Sequence, residues 1–191
     1  MAYLYTRYLI PKFERYFRSG LILDVGCGKG GLEALIKTIP EKNFEAEFIG
    51  IDVSLNSLST AKTFMKNLVC AVAGRLPFRD KAFVAAFSVE VIEHLPKEQG
   101  YCHIKEMERV SKNLVVLTTP SHFFVQDPCE IAHVKHPMMH RSLWKSNEFK
   151  RLGYSVEGLH PAREYIPALL SKWIPYLACN TLAYKVLLID S

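Results

Sequence analysis

Apolar positions follow two rhythms along the chain. Short apolar runs ending in glycine or an acid alternate with stretches whose apolar residues are three and four positions apart. Leu21-Ile22-Leu23-Asp24-Val25 is the first run and reads as a buried parallel strand. Gly31 to Ile39 carries Leu32, Leu35, Ile36 and Ile39 at helical spacing and is stopped by Pro40. Phe48-Ile49-Gly50-Ile51-Asp52 predicts the second strand. Ser54 suits the N-cap of a helix whose apolar face is Leu58, Ala61, Phe64 and Met65.

The pattern continues with strands over 69–73 and 82–89, a helix over 97–110 and a strand over 114–118 ended by Pro120. Residues 142–152 read as a helix closed by Gly153, and 155–159 and 183–189 as two further strands with a Pro-punctuated helical segment between them. Strands alternating with helices imply an α/β fold, a doubly wound, mostly parallel sheet covered on both faces. Two stretches escape this rhythm. Residues 3–19 place Tyr5, Tyr8, Leu9, Phe13, Tyr16 and Phe17 at roughly helical spacing, interrupted near Pro11. They read as an N-terminal helical segment (1–19) packed on the sheet edge or lidding a pocket, the alternative being contact with substrate or a membrane surface. Residues 121–140 are irregular, and so long a loop is expected only where it has a function; residues 121–144 read as a substrate-side loop.

Composition narrows the class. A length of 191 residues with 49% apolar and 23% charged residues fits a single domain over 1–191 with its own core. The net charge of +5 is scattered, so no nucleic-acid partner is expected. Cys27, Cys70, Cys102, Cys129 and Cys179 form no CxxC pair, which favours a reducing, cytoplasmic setting. No apolar run spans a bilayer, and peripheral membrane contact would rest on the aromatic N-terminus and the apolar stretch 165–188.

The chemistry concentrates between the first strand and the following helix. Asp24-Val25-Gly26-Cys27-Gly28-Lys29-Gly30 occupies a strand-to-helix turn, where glycine permits positive φ and close approach of a ligand to backbone. Asp52, 28 positions after Asp24, ends the second strand, where a carboxylate accepts from ribose hydroxyls. The glycine spacing formally meets G-x-G-x-x-G, which keeps an NAD-dependent oxidoreductase as an alternative. Asp24 argues against it, because a carboxylate before the loop opposes a pyrophosphate and attracts a cationic ligand.

These blocks resemble the class I S-adenosylmethionine-dependent methyltransferases. The first motif is Leu21 to Gly30, the second Phe48-Ile49-Gly50-Ile51-Asp52-Val53-Ser54. Leu76-Pro77-Phe78-Arg79-Asp80 and Val91-Ile92-Glu93-His94-Leu95-Pro96 are similar to blocks of the small-molecule branch. The resemblance implies a Rossmann-like seven-stranded sheet with an antiparallel last strand, and S-adenosyl-L-methionine as cofactor. It places the amino-acid half of the cofactor at Asp24, Gly26, Cys27 and Gly28, and the ribose at Asp52 with Val53. It sets Ala73 and Gly74 beside the adenine, with Ser88 completing the contact set. Val72 and Val84 stand where relatives often carry acids, which motivates a second alternative: a degenerate fold that binds cofactor or a partner without turnover.

Methyl transfer needs an aligned acceptor and, for a hydroxyl or protonated amine, a base. The candidate bases are His94 and His140, and His140-Arg141-Ser142 with Trp144 resembles a block of related methyltransferases. Cys129, His133, His136 and His140 have spacings compatible with zinc, but histidines along a loop are a weak signal and no metal ligand is assigned. The expected function is methyl transfer to a small-molecule acceptor, with a hydrophobic one compatible with 165–188.

Overall fold

The computed structural model describes residues 9–37, 39, 44–121, 139–159 and 180–187. Within them lie seven strands: β1 Leu21–Val25, β2 Glu47–Asp52, β3 Asn67–Cys70, β4 Phe83–Val89, β5 Ser111–Pro120, β6 Ser155–Leu159 and β7 Asn180–Val186. The helices are α1 Ile10–Phe13, continued by a 3-10 turn at Glu14–Phe17, then α2 Gly31–Lys37, α3 Leu55–Ala61, α4 Lys97–Val110 and α5 Ser146–Arg151. The strands form one sheet in the order β3-β2-β1-β4-β5-β7-β6. All pairings among β1 to β5 are parallel, while β7 runs antiparallel to both β5 and β6. The seven-stranded Rossmann-like sheet with an antiparallel last strand is therefore as expected.

Two apolar layers cover the sheet. One joins Leu9, Ile10, Phe13, Phe17, Leu32, Ile36, Leu58 and Met65 to Ile22, Phe48, Phe87 and Val116. The other joins Ile104, Met107, Val110, Trp144 and Phe149 to Leu23, Ile51, Ala86 and Val115. Neighbouring strand residues point to opposite faces, so β1 sends Ile22 one way and Leu23 the other. The described part of the N-terminal segment belongs to the core: Phe17 is buried and stacks on Phe87 with ring centroids 5.2 Å apart. Pro11 stands at the start of α1, which directly follows the helical Leu9, where a missing N–H is tolerated, and the residues before Leu9 lie outside the described ones. Tyr5 and Tyr8 lie outside the described residues, as do the helical segment over 160–179 and residues 122–138 of the expected loop.

Boundaries shift where side chains override pattern. β3 begins at Asn67 rather than 69, paired with Ile49 of β2. β7 occupies 180–186 rather than 183–189, its register set by pairing Leu182 with Thr118. The helix expected from 142 begins only at Ser146. The Ser142 hydroxyl instead donates to the carbonyls of Ile92 and Leu95, which holds 141–145 extended against the end of β4.

Candidate functional site

The carboxyl ends of β1, β2 and β4 meet where the order of the sheet reverses, the place where open α/β sheets bind ligands. The loop after β1 is tied to β2 by backbone. Gly26 N–H and Cys27 N–H both donate to the Ile51 carbonyl, at 2.7 and 2.9 Å. Gly26 has φ +73°, and a Cβ there would collide with the Val91 side chain. Gly28 has φ +54° and faces open space, so its side is free for a ligand to approach. Its N–H donates to Asp52 Oδ2 at 3.0 Å, while Ser54 N–H donates to Oδ1 at 2.8 Å. Asp52 is thus aimed at the loop by the turn that starts α3, with Ser54 also capping that helix.

Asp24 is buried beneath this loop. Burial, followed by the charges of Asp52 and Glu33, pushes its carboxyl up to about 7. Glu33 is already paired with Lys37, whereas Asp24 and Asp52 have no cationic partner among the described residues and together form a seat for a cation. The same burial and the same two aspartates push the Cys27 thiol up to about 12, so it remains protonated and is no nucleophile.

The wall beyond β3 is fastened by α4. His103 is fully buried, and burial pushes it down to about 4, so it is neutral. Its Nδ1 lies 3.1 Å from the Ala73 carbonyl, which can only accept. Nδ1 therefore carries the proton, and Nε2 accepts from the Ser88 hydroxyl at 2.9 Å. Further along α4, Glu106 accepts from Leu76 N–H at 2.7 Å. The Arg109 guanidinium donates to the carbonyls of Leu76 and Phe78 and to Asp80 and Glu106. The Leu76-Pro77-Phe78 block is held in place by these two side chains.

On the other side of the cradle, β4 ends at Val89 and passes through Glu90, which has φ +56°, into a 3-10 turn at Ile92–His94. Glu93 is 3% exposed, and its carboxylate meets only its own backbone N–H and the Thr119 hydroxyl, both in loose geometry. Burial and then the charge of Glu90 push it up to about 8. His94 Nδ1 lies 3.2 Å from the Met139 carbonyl, and its ring meets that of His140 edge to face with centroids 5.1 Å apart. Burial lowers both imidazoles from their ordinary range. The arriving segment is pinned by Arg141 and Ser142 N–H groups donating to the Glu93 carbonyl, and by Trp144, whose Nε1–H donates to Ser142 Oγ.

The expected residues fall into two groups. Asp24, Gly26, Cys27, Gly28 and Asp52 come together in one cradle. Val53 follows it and is exposed, Ala73 and Gly74 lie on the wall, and Ser88 is engaged by His103. His94 and His140 adjoin each other. Cys129, His133 and His136 lie outside the described residues. Sequence reasoning passed over His103, Glu106 and Arg109, which sit at i, i+3 and i+6 on one helix, a spacing that marks a shared face. It also passed over Glu93 as a site residue.

A buried acid, an open glycine turn and a second acid at the next strand end define a nucleoside-binding α/β protein whose ligand carries positive charge. Residues 23–117 match the methyltransferase domain family, and the chain belongs to the class I S-adenosylmethionine-dependent methyltransferases. Among curated relatives, it is 32% identical over 105 residues to an uncharacterised protein of Methanocaldococcus jannaschii, covering 55% of this chain and 41% of that one. It is 33% identical over 92 residues to 24-methylenesterol C-methyltransferase 2 of Arabidopsis thaliana, covering 44% of this chain and 24% of that one. The chain thus spans less than half the length of either relative. A crystal structure of a SAM-dependent methyltransferase from Archaeoglobus fulgidus shares its fold with a TM-score of 0.63 at 18% identity, covering 96% of this chain and 93% of that one. No helix among the described residues is long and apolar enough to cross a membrane.

Proposed function

We propose that this protein transfers the methyl group of S-adenosylmethionine to a small-molecule acceptor held beside the end of β4. The observation that carries this reading is Asp24, a buried carboxylate raised to about 7 beside two further acids and an open glycine turn. A ligand with an ammonium and a sulfonium answers that field, whereas a pyrophosphate would add to the repulsion. When bound, S-adenosylmethionine supplies an electrophilic methyl carbon on its sulfonium. Asp24 receives the ammonium, Asp52 accepts from the ribose hydroxyls, and the backbone of Ala73 and Gly74 flanks the adenine. His94 and His140, neutral by burial, stand on the acceptor side, where an imidazole can contact the acceptor or take its proton.

The non-catalytic reading draws on Val72 and Val84. Val84 lies near the amino end of β4 against Gly20, on the opposite end of the strands from the cradle, and so does not weaken the site. Calorimetry with S-adenosylmethionine, S-adenosylhomocysteine and NAD tests the cofactor. Binding of the first two without NAD is the expected result, and binding of NAD alone overturns the proposal. Transfer of a labelled methyl group to a metabolite extract then separates a catalyst from a binder. A methylated molecule of small mass and apolar character is the expected product alongside S-adenosylhomocysteine, in keeping with a relative named for a sterol.

A further inference from the structure

Glu93, His94 and His140 present one ligand atom each, all within 4.8 Å of one another. They come from two segments that meet only in the fold, 46 positions apart between His94 and His140. Their meeting is enforced by backbone: the Arg141 and Ser142 N–H groups clamp the Glu93 carbonyl at 2.7 and 3.1 Å. His94 Nδ1 faces the Met139 carbonyl, so it carries the proton and Nε2 keeps its lone pair. That lone pair lies 4.0 Å from Glu93 Oε1. A ring nitrogen bonded to a backbone carbonyl, with the other left bare, is the posture of a metal-ligating histidine.

The second observation is the Glu93 carboxylate. It is 3% exposed, presents an oxygen to this cluster, and has no lysine or arginine partner among the described residues. Its own backbone N–H and the Thr119 hydroxyl on β5 are the donors beside it, and neither supplies a positive charge. A side chain with so much unmet capacity to accept is costly to bury unless something positive completes it.

We propose that Glu93, His94 and His140 form a binding site for a divalent transition-metal ion. Two imidazoles and one carboxylate suit zinc, manganese, cobalt or ferrous iron rather than calcium. Around a tetrahedral ion the ligand atoms lie about 3.4 Å apart, so the cluster needs to contract by roughly one ångström. Three protein ligands leave a fourth position open for water or an acceptor atom. If the methyl-transfer reading is right, an acceptor oxygen occupies that position and the histidines serve as ligands instead of proton carriers. The metal site itself does not depend on that reading.

The test uses tag-free full-length protein stripped with a chelator, then titrated with Co2+, Zn2+ and Mn2+ in a calorimeter, with the cobalt absorption spectrum recorded in parallel. One equivalent of metal is expected, with ligand-field bands in the cobalt form. Glu93→Gln, His94→Ala and His140→Ala are each expected to weaken binding at least about tenfold. Melting curves and S-adenosylhomocysteine binding serve as the check that each variant is folded. Wild-type protein that takes up no metal, or takes it up equally well as the His140→Ala protein, overturns the site. If metal binds and S-adenosylhomocysteine does not, the metal site stands and the methyl-transfer reading fails. If S-adenosylhomocysteine binds and metal does not, the reverse holds.

Discussion

The two halves of the site are built in different ways. The cofactor half is a backbone device: two N–H groups of the glycine turn on the Ile51 carbonyl, and the Gly28 and Ser54 N–H groups on Asp52. The acceptor half is a side-chain device, in which Glu93, His94 and His140 converge from distant segments. A backbone device needs glycine and an acid at fixed short spacings, so it is written in contiguous sequence. A side-chain device needs only that the fold bring its parts together. Both halves contain a buried acid raised well above the usual carboxylate range, Asp24 to about 7 and Glu93 to about 8. Each half therefore holds an acid that burial keeps largely protonated and that a cationic ligand would ionise, at some expense to the stability of the empty protein.

The largest effect expected is at Asp24. Asp24→Asn should weaken S-adenosylhomocysteine binding at least about 30-fold, since truncating one partner of a buried charge pair costs roughly 2 kcal/mol or more. The same change should stabilise the empty protein near neutral pH. Between the unfolded value near 3.8 and the folded value of about 7, the folded state holds the extra proton. Stability contributed by that proton is fully present below the lower value and is lost as pH rises through the upper one, with a slope of up to about 1.4 kcal/mol per pH unit. Denaturant melts of both proteins from pH 4 to 8 check this. Glu93 adds a slope of the same sign to both, so the difference isolates Asp24. A variant that loses affinity without flattening the pH profile would break the parallel between the halves.

Gly26 comes next, because it joins the two halves. A Cβ there meets Val91, which leads from β4 to the Glu93 turn, and φ +73° disfavours any side chain. Gly26→Ala should cost about 2–4 kcal/mol, combining overpacking with backbone strain. Adding Val91→Ala should restore the packing part and leave the strain. Equal destabilisation of single and double variants in urea would show that the collision does not matter.

The architecture was legible because its pattern is local. Lys97–Val110 and Ser155–Leu159 come from apolar spacing with their observed bounds. The failures have a common cause in partners remote in sequence. Residues 142–145 carry helical spacing, but Ser142 finds carbonyls at Ile92 and Leu95, and Trp144 packs where a Cβ on Gly100 would collide with it. The β7 boundary moves because its pairing with β5 outranks its own apolar run. In the site, Asp24 and Asp52 announce themselves next to glycines, while His103 looks like any polar residue on an amphipathic helix. Nothing in the sequence says that its two ring nitrogens bridge Ala73 and Ser88.

That bridge yields a smaller effect. His103→Phe leaves the Ala73 carbonyl and Ser88 hydroxyl without their partner and should cost about 1–3 kcal/mol. His103→Gln offers both a donor and an acceptor and should recover part of it. Urea melts compare the two. A phenylalanine variant as stable as wild type would mean that the bridge packs rather than bonds.

The smallest effect expected is also the one that best separates the halves. Arg109 reaches from α4 to the carbonyls of Leu76 and Phe78 as a planar fork, with Asp80 and Glu106 as counterions. A lysine keeps the charge but cannot span two carbonyls and two carboxylates at once. The group is partly exposed, so Arg109→Lys should cost only about 1 kcal/mol in global stability. Its local consequence should be sharper. Leu76 N–H is held by Glu106, which Arg109 holds in turn, so amide exchange at Leu76 should quicken before the sheet exchanges at all. The adenine-side wall would loosen and S-adenosylhomocysteine affinity fall a few-fold, while the Arg141 and Ser142 amides on the Glu93 carbonyl keep their protection. Faster exchange at Arg141 and Ser142 as well would mean that the two halves move as one body. In that case α4 couples them, and the contrast between a backbone device and a side-chain device would describe how the site is encoded but not how it works.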